Sequence, residues 1–499
     1  MIPVALPVWW KLLRTVARRV LAVMVPSVAI CAQAAPAATY TLGGTIQGLS
    51  ASGLVLASGA QVLTIAPGAT AFTFPGALND GAAYAVVVSD SPAGLDCNVV
   101  ANGFGVVSGS NIKNVAIDCV ASASGSTVLY AFATGAVPFD GKNPRAALLE
   151  ARDGNFYGTT FAGGARGLGT VFRLTRAGAA TIVHSFGGQA QADGANPTAA
   201  LMEASDGNLY GATLIGGPAN TGTVFRITPA GVYSVIYAFE RVASGGNFGG
   251  ISRLIEGRDG FLYGATILGG PNGTGTIVRI SRSGTAAIIS SFGPMHSGDG
   301  SNPQGPLVQA RDGYLYGTTV QGGANGMGTI FRVDPANGAH ATIYSFGPAG
   351  SGDGAGPYGG LLEVAPGRFY GTTGSGGSTK VGTVYELHAG PNAVTTVSIV
   401  HSFQGLGSGD GMIPAGELIL GRDGNIYGST PVGGANGAGV LFKLSPGGAE
   451  SIIHAFGKPL LQDGSGPADG PIQGRDGALY GTTSNGGPRN QGTVYRIQP

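Results

Sequence analysis

The sequence predicts an all-β fold: a seven-bladed β-propeller closed by an N-terminal strand and preceded by a small β-sandwich. Three observations support this prediction: a glycine-rich motif that occurs seven times, the phase at which the repeats begin and end, and a run of short apolar segments before the first repeat. The 92 glycines do not indicate disorder, because 43% of the residues are hydrophobic and the repeat is regular. We therefore divide the chain into residues 1–34, 38–121 and 126–499.

Residues 1–34 have the features of a secretory signal peptide. Basic residues end at Arg19, and the apolar stretch from Val20 to Cys31 is too short to span a bilayer. Residues 32–34 (Ala-Gln-Ala) then offer a small-x-small cleavage pattern, and an uncleaved anchor is the alternative. We expect an exported protein (periplasmic, cell-surface or secreted) that has no membrane span after cleavage.

Residues 38–121 consist of short apolar or alternating segments separated by turn residues, the pattern of an antiparallel β-sandwich. Removal of the signal peptide leaves Cys97 and Cys119, and an even count in an exported chain favours a disulfide over two free thiols. The opening from Gly43 to Leu49, an Ala-Tyr-Ala-Val strand and the cysteine pair resemble the immunoglobulin-like or prealbumin-like modules of exported bacterial proteins. That resemblance implies a spacer or an interaction module.

The repeats each predict four strands, which we name a to d. In the first repeat these are the apolar run before Asp153-Gly154, the segment around Tyr157, residues 169–174 and residues 180–186. Adjacent positions are often both apolar, as expected of a sheet that is covered on both faces. The central tyrosines recur at steps of 53 to 57 residues and are Tyr157, Tyr210, Tyr263, Tyr316, Tyr370, Tyr427 and Tyr480.

The phase of the repeats predicts how the ring closes. The last repeat ends with its strand c at Ile497, whereas an additional strand-d sequence, residues 128–132, precedes the first repeat. We expect this N-terminal strand to complete the last blade, because closure removes the exposed edges of the sheets.

The motif itself resembles the Gloeo/Verruco tandem repeat of exported bacterial proteins. The residues that carry the resemblance are the Tyr-Gly-Thr-Thr-x-x-Gly-Gly and Gly-Thr-Val-Phe strings that begin at Tyr157 and Gly169. The Asp-Gly-Asn-Leu-Tyr element that ends at Tyr210 is similar, more loosely, to NHL-type propellers. These resemblances imply a propeller-like repeat protein of undefined function.

Candidate ligand-binding residues lie in the loops that join strand d to the next strand a, because these d–a loops and the b–c loops are expected on one face. Six d–a loops contain Asp-Gly-x-x-Pro, with aspartates Asp140, Asp193, Asp299, Asp353, Asp410 and Asp463. Such carboxylates could hold Ca²⁺ or hydrogen-bond to sugars. The repetition favours a turn role instead, in which Asp-Gly begins a turn and proline fixes the start of strand a. We expect no cofactor.

A binding site that occurs only once in the ring is expected where residues differ from their counterparts in the other repeats. One d–a loop lacks Asp-Gly and carries Glu240, Arg241 and Asn247, and the fifth repeat has Lys380 in its b–c loop and Glu386 where other repeats have a basic residue. Drift in loops is the alternative for both. The strand-d histidines replace tyrosine at the same repeat position, which indicates packing; they are His184, His401 and His454.

These patterns favour an exported, non-catalytic binding or scaffold protein that presents one propeller face to a glycan or protein. The alternative is a carbohydrate-active hydrolase or lyase on the same scaffold, which would need two carboxylates across one substrate. A formal net charge of +1 without a basic patch argues against nucleic acid as a partner. We expect a monomer.

Overall fold

The computed structural model describes residues 38–90, 92, 95–121, 126–240, 250–294, 297–348, 352–389, 395–457 and 463–499. Thr39–Pro499 form one compact unit. The predicted signal peptide, residues 1–34, lies outside the described residues. In the described part of the chain the single helix is the 3₁₀ turn Gln189–Gln191, and no helix there is long and apolar enough to cross a membrane.

The segment from residue 39 to residue 121 contains two four-stranded sheets and one short strand pair. The first sheet contains, in spatial order, Ala71–Thr73, Leu42–Gln47, Ile112–Ala121 and Leu95–Ala101. The second sheet contains Gln61–Thr64, Val55–Ser58, Ala83–Asp90 and Phe104–Val106. The short pair is Thr39–Tyr40 with Leu78–Asn79. Their apolar residues, among them Leu42, Leu56, Phe74 and Ile117, form one core. The predicted antiparallel pairing is wrong at one place, since Ile112–Ala121 runs parallel to Leu42–Gln47. The sandwich arrangement stays a prediction.

The disulfide is confirmed. Cys97 and Cys119 lie opposite each other on the neighbouring strands Leu95–Ala101 and Ile112–Ala121, and their sulfurs are 2.04 Å apart. The bond joins residues 22 positions apart in the sequence, so in the chain-entropy model it stabilises the segment by about 3 kcal/mol.

The repeats form sheets in which strands a, b, c and d are neighbours in that order. Strands b and c have almost every residue buried, because each sheet is covered on both faces. Strands a are Leu149–Glu150, Met202–Glu203, Ile255–Glu256, Val308–Gln309, Leu362–Ala365, Ile419–Leu420 and Ile472–Gln473. Strands b are Phe156–Thr160, Leu209–Thr213, Leu262–Thr266, Leu315–Thr319, Arg368–Thr373, Ile426–Thr430 and Leu479–Asn485. Strands c are Thr170–Leu174, Thr223–Ile227, Thr276–Ile280, Thr329–Val333, Thr383–His388, Val440–Leu444 and Thr493–Ile497. Strands d within the repeats are Ala180–Ser185, Tyr233–Ala238, Ala286–Ser291, His340–Ser345, Thr396–Ser402 and Glu450–Ala455.

The N-terminal strand Ser126–Ala131 takes the place of strand d beside the last strand c, Thr493–Ile497, and is antiparallel to it. Apolar clusters then join each sheet to the next. The cluster at the closure combines Tyr130 and Phe132 with Phe172 of the first repeat and Tyr480 of the seventh. The all-β propeller class is therefore confirmed, whereas the blade count and the domain limits stay predictions.

The d–a and b–c loops lie on one face, because short strands within them pair. Gly141–Lys142 pairs with Ala162–Gly163, and Gly194–Ala195 pairs with Ile215–Gly216. The same pairing joins Gly300–Ser301 to Gln321–Gly322, Gly354–Ala355 to Ser375–Gly376, and Gly411–Met412 to Val432–Gly433; Ser465–Pro467 pairs with Leu479–Asn485. We call this surface the loop face.

Candidate functional site

The signature tyrosines serve the scaffold. Tyr316 is 1% exposed, and its hydroxyl donates a 2.7 Å hydrogen bond to Asp312 in the a–b turn of the same repeat. Burial, together with this carboxylate, raises the pKa of Tyr316 to about 12. The same Tyr–Asp bond recurs in the five other repeats that have the Asp-Gly turn, at Tyr157, Tyr210, Tyr263, Tyr427 and Tyr480.

The residues after each tyrosine also have internal partners. A Cβ on Gly158 would lie 2.5 Å from the Phe172 ring, so only glycine fits there. The hydroxyl of Thr482 donates to the Ala146 carbonyl of the neighbouring repeat at 2.9 Å, and Thr160 shares a 2.8 Å hydrogen bond with Thr170 of its own sheet. The motif that recurs most is thus explained by packing within and between sheets.

In the fifth repeat the charges around the signature tyrosine are exchanged: an arginine, instead of the a–b turn aspartate, contacts the tyrosine, and a glutamate replaces the basic residue of strand c. This repeat has no aspartate in its a–b turn, and the Tyr370 hydroxyl accepts a 2.8 Å hydrogen bond from Arg368 instead. Arg368 also forms an ion pair with Glu386, which lies opposite Tyr370 where other strands c carry arginine or lysine. His388 Nε2 contacts Glu386 at 3.0 Å. Arg368, paired with Glu386, therefore replaces the missing aspartate as the hydrogen-bond partner of the tyrosine.

Lys380 is exposed, and its backbone has a conformation that lysine rarely adopts. Its φ of 66° lies in the left-handed region, where the matching b–c loop positions carry Gly167, Gly326, Gly437 or Asn220. Among the loop residues that the sequence singled out with it, Glu240 is exposed, while Arg241 and Asn247 lie outside the described residues.

The loop aspartates are held by internal donors. Asp193 is 8% exposed and accepts bonds from the Gly187 and Gly194 backbone N–H groups, from Tyr233 and from His184 Nε2 at 2.9 Å. The strand-d residue at the His184 position contacts the loop aspartate in four other places: Tyr130 with Asp140, Tyr344 with Asp353, His401 with Asp410, and His454 with Asp463. The exchange of tyrosine and histidine in the sequence indicated packing at this position and did not predict the bond. The shared ability of tyrosine and histidine to donate was the available signal.

These contacts favour the ionised form of three of the aspartates, Asp193, Asp299 and Asp410. Burial alone would raise the pKa of Asp299, but the adjacent His340 imidazole and the hydrogen bond from the Gly293 N–H outweigh it and lower the pKa to about 2. The same balance, with His184 and His401 as the donors, lowers the pKa values of Asp193 and Asp410. Direct ligand binding by the six aspartates stays a prediction, and the contacts agree with the turn role.

A charged network lies where the repeats begin their strands a. Most repeats have small residues there, such as Gly305 and Gly359, because backbones of successive repeats approach closely: a Cβ on Gly305 would be 2.7 Å from the Gly359 carbonyl oxygen. One position further along, Arg253 and Glu417 of the third and sixth repeats replace small residues such as Ala147 and Gly360, and they form an ion pair at 3.0 Å. Burial and the adjacent Glu417 raise the pKa of Asp469 to about 6. These three residues follow no motif in the sequence and were not predicted from it.

A polar pocket of about 420 Å³ opens on the loop face. It is formed by the seventh, first and second repeats, and its lining residues are Asn143, Arg145, Thr198, Ala468, Ser484 and Asn485. The Arg145 guanidinium lies 3.9 Å above the Phe161 ring and has no hydrogen-bond or ion-pair partner among the described residues. The pocket thus combines one available cation with amide and hydroxyl groups, which suits an anionic or polyhydroxylated ligand.

His401, Asp410 and Glu450 are the described residues that could hold a metal, since each offers a ligand atom and these atoms lie within 4.8 Å of one another. Burial and the nearby Asp410 carboxylate raise the pKa of Glu450 to about 7. The predicted absence of a cofactor and the predicted Ca²⁺ binding both remain untested.

Comparison with known proteins gives a family and a set of structural likenesses. A family model described as Gloeobacter/Verrucomicrobia repeat matches residues 102–252, 243–419 and 389–499. No curated protein matches the sequence. The periplasmic gluconolactonase of Pseudomonas aeruginosa is 16% identical with a TM-score of 0.41, over 66% of this chain and 95% of that one. A putative 6-phosphogluconolactonase of Bacteroides uniformis is 16% identical with a TM-score of 0.40, over 63% and 84%. TolB of Acinetobacter baumannii is 14% identical with a TM-score of 0.35, over 58% and 61%.

Proposed function

Since this chain belongs to the Gloeobacter/Verrucomicrobia repeat family, and its repeated residues serve the scaffold, we propose an exported, non-catalytic binding protein whose loop face takes a glycan. The observation that carries the proposal is the pocket around Arg145. Its lining side chains come from three repeats and differ from one another, as a single binding site on a repetitive ring requires.

Arg145 suggests which glycans fit best. Its guanidinium is exposed, is stacked on Phe161 and lacks an internal carboxylate, so it is free to form a bidentate contact with an acid group of a ligand. Asn143, Ser484 and Asn485 border it with amide and hydroxyl groups. We therefore favour a saccharide that carries a carboxylate, such as a uronic acid, over a neutral one.

A glycan array with the mature protein tests this proposal, followed by titration of the best ligand. Arg145→Ala should raise the dissociation constant about 10- to 100-fold, because a hydrogen bond to a charged group contributes about 1.5–3 kcal/mol. Arg489→Ala is the matched control: it removes an exposed arginine from a b–c loop of the seventh repeat, outside the pocket lining. Equal loss in both variants would mean general charge attraction, and binding that maps to residues 38–121 would refute the pocket as the site.

The hydrolase or lyase alternative is examined in the same experiment. Incubation of the bound saccharide with the wild-type protein, followed by chromatography of the products, should return the ligand intact. Cleavage that depends on the loop face would replace the binding proposal with the enzymatic one. A bound protein found by pull-down, without glycan binding, would replace the glycan as ligand.

A further inference from the structure

The loop aspartates have a second partner that follows a positional rule. Besides the donor on its own strand d, the aspartate faces the first residues of strand d in the next repeat. Tyr233 occupies that position for Asp193 and donates at 2.5 Å, and His340 occupies it for Asp299, with Nε2 at 3.3 Å. In these two repeats the position therefore places a phenol or an imidazole beside the carboxylate. The hydrogen bond to Asp299 from the same strand comes from Thr342.

Glu450 breaks this rule. It pairs with Leu444 at the end of strand c, as Tyr233 pairs with Ile227 and His340 with Val333, so it faces Asp410. A second carboxylate therefore stands where the second and fourth repeats have a phenol and an imidazole. Two like charges beside one histidine repel each other unless something positive lies between them.

The contacts of the individual oxygens point to a missing ligand. The Asp410 carboxylate is fixed by the Gly411 N–H on Oδ1 and by the Gln404 N–H on Oδ2, with His401 Nε2 at 3.2 Å from Oδ2. Glu450 Oε1 is buried and has no hydrogen-bond partner among the described residues. An unpaired buried carboxylate oxygen is costly, and a proton donor or a cation would remove that cost.

We propose that His401 Nε2, Asp410 Oδ2 and Glu450 Oε1 form a binding site for one divalent transition-metal ion of the Zn²⁺ or Mn²⁺ class. One imidazole and two carboxylates suit such ions better than Ca²⁺, which prefers an all-oxygen set, and water would fill the remaining positions. The backbone N–H groups that hold Asp410 act as the supporting contacts that orient a metal ligand. Binding would exchange the His401–Asp410 hydrogen bond for two bonds to the metal.

Zinc titration of protein freed of metal by a chelator tests the site. Calorimetry and elemental analysis after gel filtration should give one Zn²⁺ for each chain. His401→Gln and Glu450→Gln should each weaken binding by about 100-fold or more, since each removes a direct ligand, where loss of a supporting contact alone costs about 10- to 100-fold. His184→Gln is the matched control, because His184 contacts Asp193 in a repeat that has Tyr233 in place of the second carboxylate.

A second measurement keeps the proposal testable if a substitution impairs folding. Glu450→Tyr places in this repeat the residue that the second repeat already has, so it should keep the fold while it abolishes zinc binding and the zinc-dependent rise of Tm. No retained zinc in the wild type overturns the proposal. So does uptake that survives Glu450→Gln and His401→Gln, or that is lost equally in His184→Gln.

Discussion

At the scale of single residues, the structure separates two kinds of departure from the repeat. Glu386 differs from its counterparts together with Arg368, and the pair keeps the tyrosine of that repeat hydrogen-bonded. Lys380 differs without compensation, since it keeps a left-handed backbone that elsewhere belongs to glycine or asparagine. Only the uncompensated departure at Lys380 leaves the backbone strained. Strained residues other than glycine are often found at functional sites.

We predict that Lys380→Gly stabilises the protein. A non-glycine residue with this φ costs about 1–2 kcal/mol, and the greater freedom of glycine in the unfolded chain offsets about 0.5–1 kcal/mol of that. The net gain expected from urea unfolding is therefore about 0.5–1 kcal/mol. Lys380→Ala keeps a Cβ at the same φ and serves as the control. An equal gain in both variants would assign the effect to loss of the charge instead.

At the scale of the structural elements, the d–a loops are clamped by their own aspartates. Each carboxylate joins the end of one strand d to the turn that follows, and Asp193 and Asp299 also bind strand d of the next repeat. The sequence predicts the turn, because Asp-Gly-x-x-Pro has a recognised turn chemistry. It does not predict the contact with the next repeat, since residues about 40 positions apart meet there only through the ring.

We predict a loss of stability in acid that depends on these clamps. The folded pKa of Asp299, about 2, lies below its ordinary value of 3.8, so ionisation favours the folded state. This contribution is complete above about pH 4 and is lost as the pH falls toward about 2. Thermal unfolding between pH 5 and pH 2 should therefore show a shallower fall of Tm in Asp299→Asn than in the wild type. An unchanged slope would contradict the prediction; a slope of zero is not expected, because the pKa values of Asp193 and Asp410 are also lowered.

The difference between local patterns and contacts between repeats also decides how much of the candidate site the sequence predicts. The loop face follows from strand order and the b–c glycines, both of which are local patterns. The pocket around Arg145, the Arg253–Glu417 pair and the cluster at Glu450 each combine residues from two or three repeats. These residues are not separated by a regular interval in the sequence, so no motif links them. A single difference, such as Glu450 at the position that Tyr233 has in the second repeat, becomes informative only when the structure shows which residues lie beside it.

At the scale of the whole molecule, the repeats are tied to one another all the way round. At six of the seven junctions between repeats, a strand-a glutamate or glutamine accepts a backbone N–H from the a–b turn of the repeat before it, as Glu203 does from Arg152 at 2.8 Å. At the junction of the fifth and sixth repeats, Leu420 occupies the position of the acceptor. Glu150 accepts in the same way from Arg475 at 2.9 Å, so the contact also crosses the closure. Apolar clusters join neighbouring sheets at every junction, including that of the fifth and sixth repeats and that of the seventh and first.

We therefore predict that the closing strand decides whether the ring stays monomeric. A variant that begins at residue 122 keeps Ser126–Ala131 and should remain monomeric with a cooperative thermal transition, whereas one that begins at residue 133 should aggregate. Its last strand c, Thr493–Ile497, would lose its partner, and removal of Tyr130 and Phe132 would open the apolar cluster that joins the seventh repeat to the first. Gel filtration with light scattering distinguishes the two outcomes. A monomeric, equally stable variant lacking residues 1–132 would show that the strand adds nothing to closure, and that the inter-repeat clusters alone hold the ring.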